Sequence, residues 1–186
     1  KEMVDAARAA DVVFMEGFMH LYHAQLQELK RIIAEGSIGD VRFIRASFST
    51  GTGNRTNWRR RGELGGGAAM DLGCYCVSSI RYLIGAEPLS ISASGNFDEE
   101  GQIWETLLGT LDFSDGVLAQ FECSFGLPRR GSCEIVGTDG VINIPRTAWS
   151  WPRELDSGFT LTQGDYRDVK TETVEITAKH PYREQL

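Results

Sequence analysis

A chain of 186 residues that is 41% hydrophobic and 24% charged has the make-up of a folded globular domain, long enough to bury a core without disulfide or metal staples. Its 19 Lys and Arg stand against 26 Asp and Glu, a formal charge of -7, which argues against a phosphate backbone as the main partner. No apolar stretch approaches the roughly 18 to 20 residues of a membrane helix, and Lys1-Glu2-Met3-Val4-Asp5 lacks the basic end and apolar core of a secretion signal, so the chain reads as cytoplasmic.

In chain order, Val4, Ala7 and Ala10 recur at helical spacing among charges, the pattern of the last turns of a helix over residues 1–10. Val12-Val13-Phe14-Met15 is short, apolar and rich in β-branched and aromatic residues, which predicts a buried strand. Leu26, Leu29 and Ile33, widened by Ile32, then predict a helix that Gly36 stops. Ser37-Ile38-Gly39-Asp40 turns the chain into a strand from Val41 to Ser49. Residues 50 to 67, with Gly51, Gly53, Asn54, Asn57, Arg59, Arg60, Arg61 and Gly65-Gly66-Gly67, offer little to pack and predict a long loop, a feature that is usually functional or disordered. From about Met70 to Leu83 helical spacing returns in Leu72, Cys76, Ile80, Leu83 and Ile84, with Gly85 as the stop and Pro88 at the exit.

Beyond Pro88 the period becomes two. Leu89-Ile91-Ala93, Ile103 to Phe113 and Val117 to Phe125 alternate, the last two joined at Ser114-Asp115-Gly116. Ser132 to Gly137 and Val141 to Ile144 form a second hairpin around Thr138-Asp139-Gly140, followed by weaker strands near Phe159 to Thr162 and Val169 to Ile176. Strands following helices predict an α+β domain, a largely antiparallel open sheet with helices on one face. Its other face then meets solvent or a partner; Leu118, Gln120, Glu122 and Ser124, or their alternates, line it. Trp149, Ser150, Trp151 and Pro152 form an aromatic loop, an anchor or interface more often than a ligand contact. At the far end Pro181-Tyr182-Arg183-Glu184-Gln185-Leu186 opens like a helix, and together the two ends give the expectation of a fragment.

The 4 cysteines, Cys74, Cys76, Cys123 and Cys133, are too few for a disulfide scaffold, and Cys74 and Cys76 lack a second pair for zinc, so they read as reduced, buried small hydrophobes. Asn54-Arg55-Thr56 matches a glycosylation sequon, without meaning for a cytoplasmic chain.

Chemistry concentrates around Gly65-Gly66-Gly67-Ala68-Ala69-Met70-Asp71-Leu72-Gly73-Cys74-Tyr75. Glycines let backbone approach a ligand, and the helix behind them offers free N–H groups and a positive dipole end. Asp71 and Tyr75, four apart, share a helix face, where the carboxylate orients a phenol that trades a proton with a substrate hydroxyl once its pKa falls from about 10. The plain alternative is a capping aspartate and a core tyrosine.

These residues resemble the Gfo/Idh/MocA oxidoreductases, a family named for glucose-fructose oxidoreductase and inositol dehydrogenase. The likeness lies in Val13-Phe14-Met15-Glu16-Gly17-Phe18-Met19 with Leu21-Tyr22-His23, in Glu35-Gly36-Ser37-Ile38-Gly39-Asp40-Val41, in Trp58-Arg59, in Gly65 through Gly73 with Tyr75, in Tyr82-Leu83-Ile84-Gly85 and in Glu134-Ile135-Val136-Gly137-Thr138-Asp139-Gly140. The resemblance implies a two-domain NAD(P)-dependent enzyme, of which residues 11–186 are the substrate-binding and oligomerisation domain and residues 1–10 the end of a helix from a Rossmann domain absent here. The family's Glu-Lys-Pro lysine would lie before Lys1, and its last helix would begin near Tyr182.

By the same resemblance Asp71 and Tyr75 take the active-site and acid–base positions and also bind substrate with Gly66 and Gly67, while Trp58 and Arg59 lie near the nicotinamide. Arg60 and Arg61 fit a solvated loop equally well. Tyrosine at position 75, where many members carry histidine, resembles the branch of glucose-fructose oxidoreductase, D-xylose dehydrogenases and dimeric dihydrodiol dehydrogenases, which implies a sugar or diol hydroxyl as hydride donor. NAD or NADP is the implied cofactor, no metal is implied, and a homodimer or homotetramer through the sheet face is expected. His20 and His23, where Leu21 and Ala24 replace the family's commoner Arg and Pro, read as packing or surface residues rather than a metal pair. The rival expectation is a non-catalytic binding or dimerisation module.

Overall fold

A computed structural model of the chain describes residues 1–51, 56–150, 156–165, 167–177 and 181–185. Three helices precede most of the sheet: α1 (Glu2–Ala9), α2 (Ala24–Ala34) and α3 (Cys74–Ile84). The strands are β1 (Val41–Ser49), β2 (Ser90–Asp98), β3 (Ile103–Asp112), β4 (Leu118–Ser124), β5 (Cys133–Gly137), β6 (Gly140–Ile144), β7 (Asp156–Asp165) and β8 (Asp168–Thr177), and α4 (Pro181–Glu184) follows.

The strands form one 8-stranded sheet in the order β2-β3-β4-β1-β5-β6-β7-β8. Only the central β1–β4 pair is parallel; every other neighbour runs antiparallel. The α+β architecture expected from the change of period is therefore present. α2 and α3 lie on one face, presenting Leu26, Leu29 and Ile32 and Cys76, Ile80 and Leu83 at helical spacing, and these meet Ile44, Ala46 and Phe48 of β1 in one core.

Register decides which alternate set of β4 points outward. Ile44 pairs with Ala119, Ala46 with Phe121 and Phe48 with Cys123, and all six belong to the core. Leu118, Gln120, Glu122 and Ser124, paired with Phe43, Arg45, Ser47 and Ser49, therefore face away from the helices. Ser124 is nonetheless covered, since the chain folds back over it and Gly126 N donates to its Oγ at 3.0 Å.

Two expectations need correction. Val12–Met15 is not a buried strand: it belongs to no strand of the sheet, and Val13 is 95% exposed. Its composition suits a strand, but a strand exists only by pairing, and the sheet is flanked by β2 and β8 at its two edges. The helix expected over 70–83 is also not uniform, because Ala69–Gly73 form a π turn before α3 begins at Cys74. Trp149 is the anchor expected of its loop, buried and donating from Nε1 to Ser47 O at 3.3 Å, whereas Trp151, Pro152, Asn54 and Arg55 lie outside the described residues. No helix among the described residues is long and apolar enough to cross a membrane.

Candidate active site

The loop after β1 returns to the helical face through two short 3₁₀ turns, Trp58–Arg60 and Gly62–Leu64. Asn57 starts the first, its side chain accepting from Arg59 N at 3.1 Å. The glycine triplet then closes the loop on itself: Gly66 N donates to Arg61 O at 3.0 Å and Gly67 N to Arg59 O at 2.8 Å. A Cβ on Gly66 would lie 2.5 Å from Arg59 O, so only glycine fits there. Gly66 and Gly67, expected to bind substrate, are held inside this loop. Their amides are spent on the loop, and the triplet's work is to press the Arg59 turn against the start of the helix.

That closure aims Arg59 at Asp71, with Nε donating to Oδ1 at 2.9 Å. The same guanidinium sits 4.6 Å from the centre of the half-exposed Trp58 indole. Arg60 is no solvated neighbour: it is nearly sealed, donating to Glu105 at 2.8 Å beneath the Phe125 ring, which ties the loop to β3. Asp71 sits in the π turn, a feature often found at functional sites. Gly73 ends that turn, and a Cβ there would meet Cys123 Sγ at 3.1 Å, so its bareness seats the turn on β4.

Tyr75 opens α3, half-buried within a cage of rings: His20 at 4.9 Å, Phe48 at 5.8 Å and Phe18 at 6.0 Å between centroids. Burial raises the phenol pKa, the charges of Cys74, Tyr182 and Asp71 push the same way, and only Arg59 pulls it down. Asp71 thus works differently from the expectation: its hydrogen bond goes to Arg59, not to the phenol, and its own charge opposes ionisation of Tyr75. The site unites Trp58, Arg59, Gly66, Gly67 and Asp71 in one closed loop, with Tyr75 one turn farther along.

Sequence reasoning missed the cage. Phe48 carries a weak signal, sharing the inward alternation of Ile44 and Ala46; Phe18 and His20 lie in an aperiodic segment and carry none. Both histidines are fully buried and make polar contacts: His23 Nδ1 accepts from Gln25 N at 3.1 Å to start α2, and His20 Nε2 meets Ser78 Oγ at 3.0 Å. No group of three or more His, Cys, Asp or Glu among the described residues is placed to hold a metal. Cys76, Cys123 and Cys133 are buried free thiols as expected, and Cys74 is half-buried, its thiol pushed up to about 11, chiefly by burial.

The model of the GFO/IDH/MocA C-terminal domain matches residues 26–143, well over half of the chain and all of the loop–helix site. The chain belongs to this family. Among known relatives of this GFO/IDH/MocA domain, trans-1,2-dihydrobenzene-1,2-diol dehydrogenase of Xenopus laevis is 34% identical over 151 residues, 81% of this chain and 45% of the relative. The protein of the same name from Bos taurus is 32% identical over 172 residues, 90% of this chain and 48% of its own. The chain thus spans about half the length of the curated relatives it matches. A solved aldose-aldose oxidoreductase from Caulobacter crescentus superposes with a TM-score of 0.87 at 22% identity, over 99% of this chain and 54% of that one. The 3-ketoreductase KijD10 from Actinomadura kijaniata, solved with NADP and TDP-benzene, gives 0.85 at 22% identity, over 98% and 55%. At such identity these likenesses speak for the fold.

Proposed function

We propose that the protein containing this chain is an NAD(P)-dependent oxidoreductase acting on CH–OH groups, and that residues 11–186 form its substrate-binding half. The observation that carries this reading is Tyr75, held by a ring cage one turn beyond the Arg59–Asp71 pair. A sugar or vicinal diol is the substrate class, supported by the names of the dihydrobenzenediol dehydrogenases and by tyrosine at this position.

The residues present fit the nicotinamide end of the cofactor and not its pyrophosphate. Trp58 offers a half-exposed indole backed by Arg59, whereas the amides of Gly65, Gly66 and Gly67 are bonded to the Gly62, Arg61 and Arg59 carbonyls and present no phosphate cradle. When bound, the nicotinamide supplies the redox chemistry by accepting hydride. Within this chain Tyr75 receives the substrate hydroxyl proton at its phenol oxygen, Arg59 favours the phenolate by its charge, and Asp71 fixes Arg59. Burial holds the phenol pKa raised within this chain, so a lysine from the preceding domain, implied by the family resemblance, is what brings it down to the phenolate that accepts the proton.

Tyr75→Phe in the full-length protein is expected to lower turnover by about 100- to 10,000-fold while cofactor affinity stays within a factor of about three. Near-normal turnover sinks the assignment. The rival reading, a non-catalytic binding or dimerisation module, describes the 186 residues in isolation, because their closed glycine loop leaves the nucleotide without a cradle. Assembly as a homodimer or homotetramer through the outer sheet face is supported by Phe43, Leu118, Val136 and half-exposed Leu108 on that face, and a cytoplasmic setting by four free thiols.

A further inference from the structure

His20 contributes more than bulk to the ring cage. Ser78 Oγ lies 3.1 Å from the Tyr75 carbonyl and 3.0 Å from His20 Nε2; with its single proton on the carbonyl, the contact to His20 is one in which Nε2–H donates to Ser78, and this is the tautomer the proposal takes. Nδ1 is then a bare acceptor, buried and without a hydrogen-bond partner among the described residues. A phenylalanine would fill the same space without burying an unpaired nitrogen, which costs free energy, so packing alone does not account for an imidazole here. On its far side the ring lies 6.2 Å from Trp149, itself tied to Ser47 O of β1; on its near side it meets the Tyr75 ring, tilted 59°, and Phe18 stands edge-on to both.

We propose that His20 is a positioning residue for Tyr75: its ring seats the phenol ring against β1 through Trp149, and its Nε2–H holds the Tyr75 main chain through Ser78. This rests on the reading of Tyr75 as the acid–base group. Both ends of the tyrosine are thereby referred to one buried side chain from a segment outside α3, so the phenol oxygen keeps a fixed place while substrate comes and goes.

The test uses the full-length protein with the fastest substrate from a panel of aldoses and vicinal diols, with NAD and NADP. His20→Phe keeps a ring and loses the donor; Ser78→Ala keeps His20 and breaks the relay. Each is expected to lower kcat by about 10- to 100-fold with KM within about threefold, and neither lowers the residual rate of Tyr75→Phe any further. In protein labelled with 3-fluorotyrosine, Ser78→Ala also moves the fluorine resonance of Tyr75. Unchanged kcat in the folded variants, or the same fall repeated in the Tyr75→Phe background, overturns the proposal. If His20→Phe does not fold, Ser78→Ala decides alone. If Tyr75→Phe turns over normally, the acid–base reading fails instead, and an unmoved fluorine resonance in Ser78→Ala then removes the positioning role as well.

Discussion

Two buried imidazoles give this fold a dependence on acid. Burial pushes His20 from 6.5 down to about 3, and His23 is lowered by burial against the opposing charge of Glu184. Above pH 6.5 neither the folded nor the unfolded chain carries these protons. As pH falls below that value the unfolded chain takes them up and the folded one does not, so stability is lost progressively down to about pH 3, where His20 protonates in place. The His20 contribution is roughly 2 kcal/mol at pH 5, from about 1.4 kcal/mol for each pH unit. Urea unfolding between pH 7.5 and 5 should show the loss, and His20→Phe should flatten it. A wild-type midpoint that does not move across that range contradicts the buried, neutral His20.

The loop–helix unit from Trp58 to Ile84 is held in shape by glycines with different duties. Gly65 has φ 75° and open space around its Cα, so an alanine there costs backbone strain alone, about 1 kcal/mol. Gly66 has backbone oxygens of Arg59 and Arg61 within 2.8 Å of where a Cβ would stand, and those cannot move without moving the turn that aims Arg59. Gly66→Ala is therefore expected to cost about 2–3 kcal/mol, lowering Tm by roughly 4–10 °C, and to loosen the Arg59–Asp71 pair. Thermal unfolding of both variants checks the order, and a Gly65→Ala loss equal to or larger than that of Gly66→Ala refutes it. The helix over 70–83 was legible from Leu72, Cys76, Ile80 and Leu83; the π turn at its start was not. Residues four apart share a face in either kind of turn, so spacing carries no mark of the extra residue, and Gly73 at the end of that turn lies against Cys123.

At the scale of the whole molecule, α2 and α3 cover the central strands on one side of the sheet and leave the other bare, while β2 at one edge is exposed on both faces. The bare face mixes serines, threonines and ion pairs such as Arg45 with Glu134 at 3.4 Å with the exposed Leu108 and Leu118, a surface that suits a second copy as well as water. If the protein assembles there, the double variant Leu108→Arg with Leu118→Arg should halve the mass seen by light scattering. Stability of the subunit itself should change by less than about 1 kcal/mol, since both side chains are substantially exposed. An unchanged mass assigns assembly to another face.

By itself the sequence determined the class of the fold and the bounds of β1 and the hairpins, because period and turn residues are local properties that survive in any context. It also carried the family likeness through Trp58, Arg59, the glycines, Asp71 and Tyr75, which the matched domain spans. Only the tertiary structure decided that Val12–Met15 has no ladder to join, that Gly66 and Gly67 spend their amides on Arg61 and Arg59, and that Asp71 answers to Arg59 rather than to the phenol. It alone placed Phe18, His20 and Phe48 around Tyr75. Pairing, close approach and ring contact join residues far apart in the chain, and no local pattern records which distant partner each will meet.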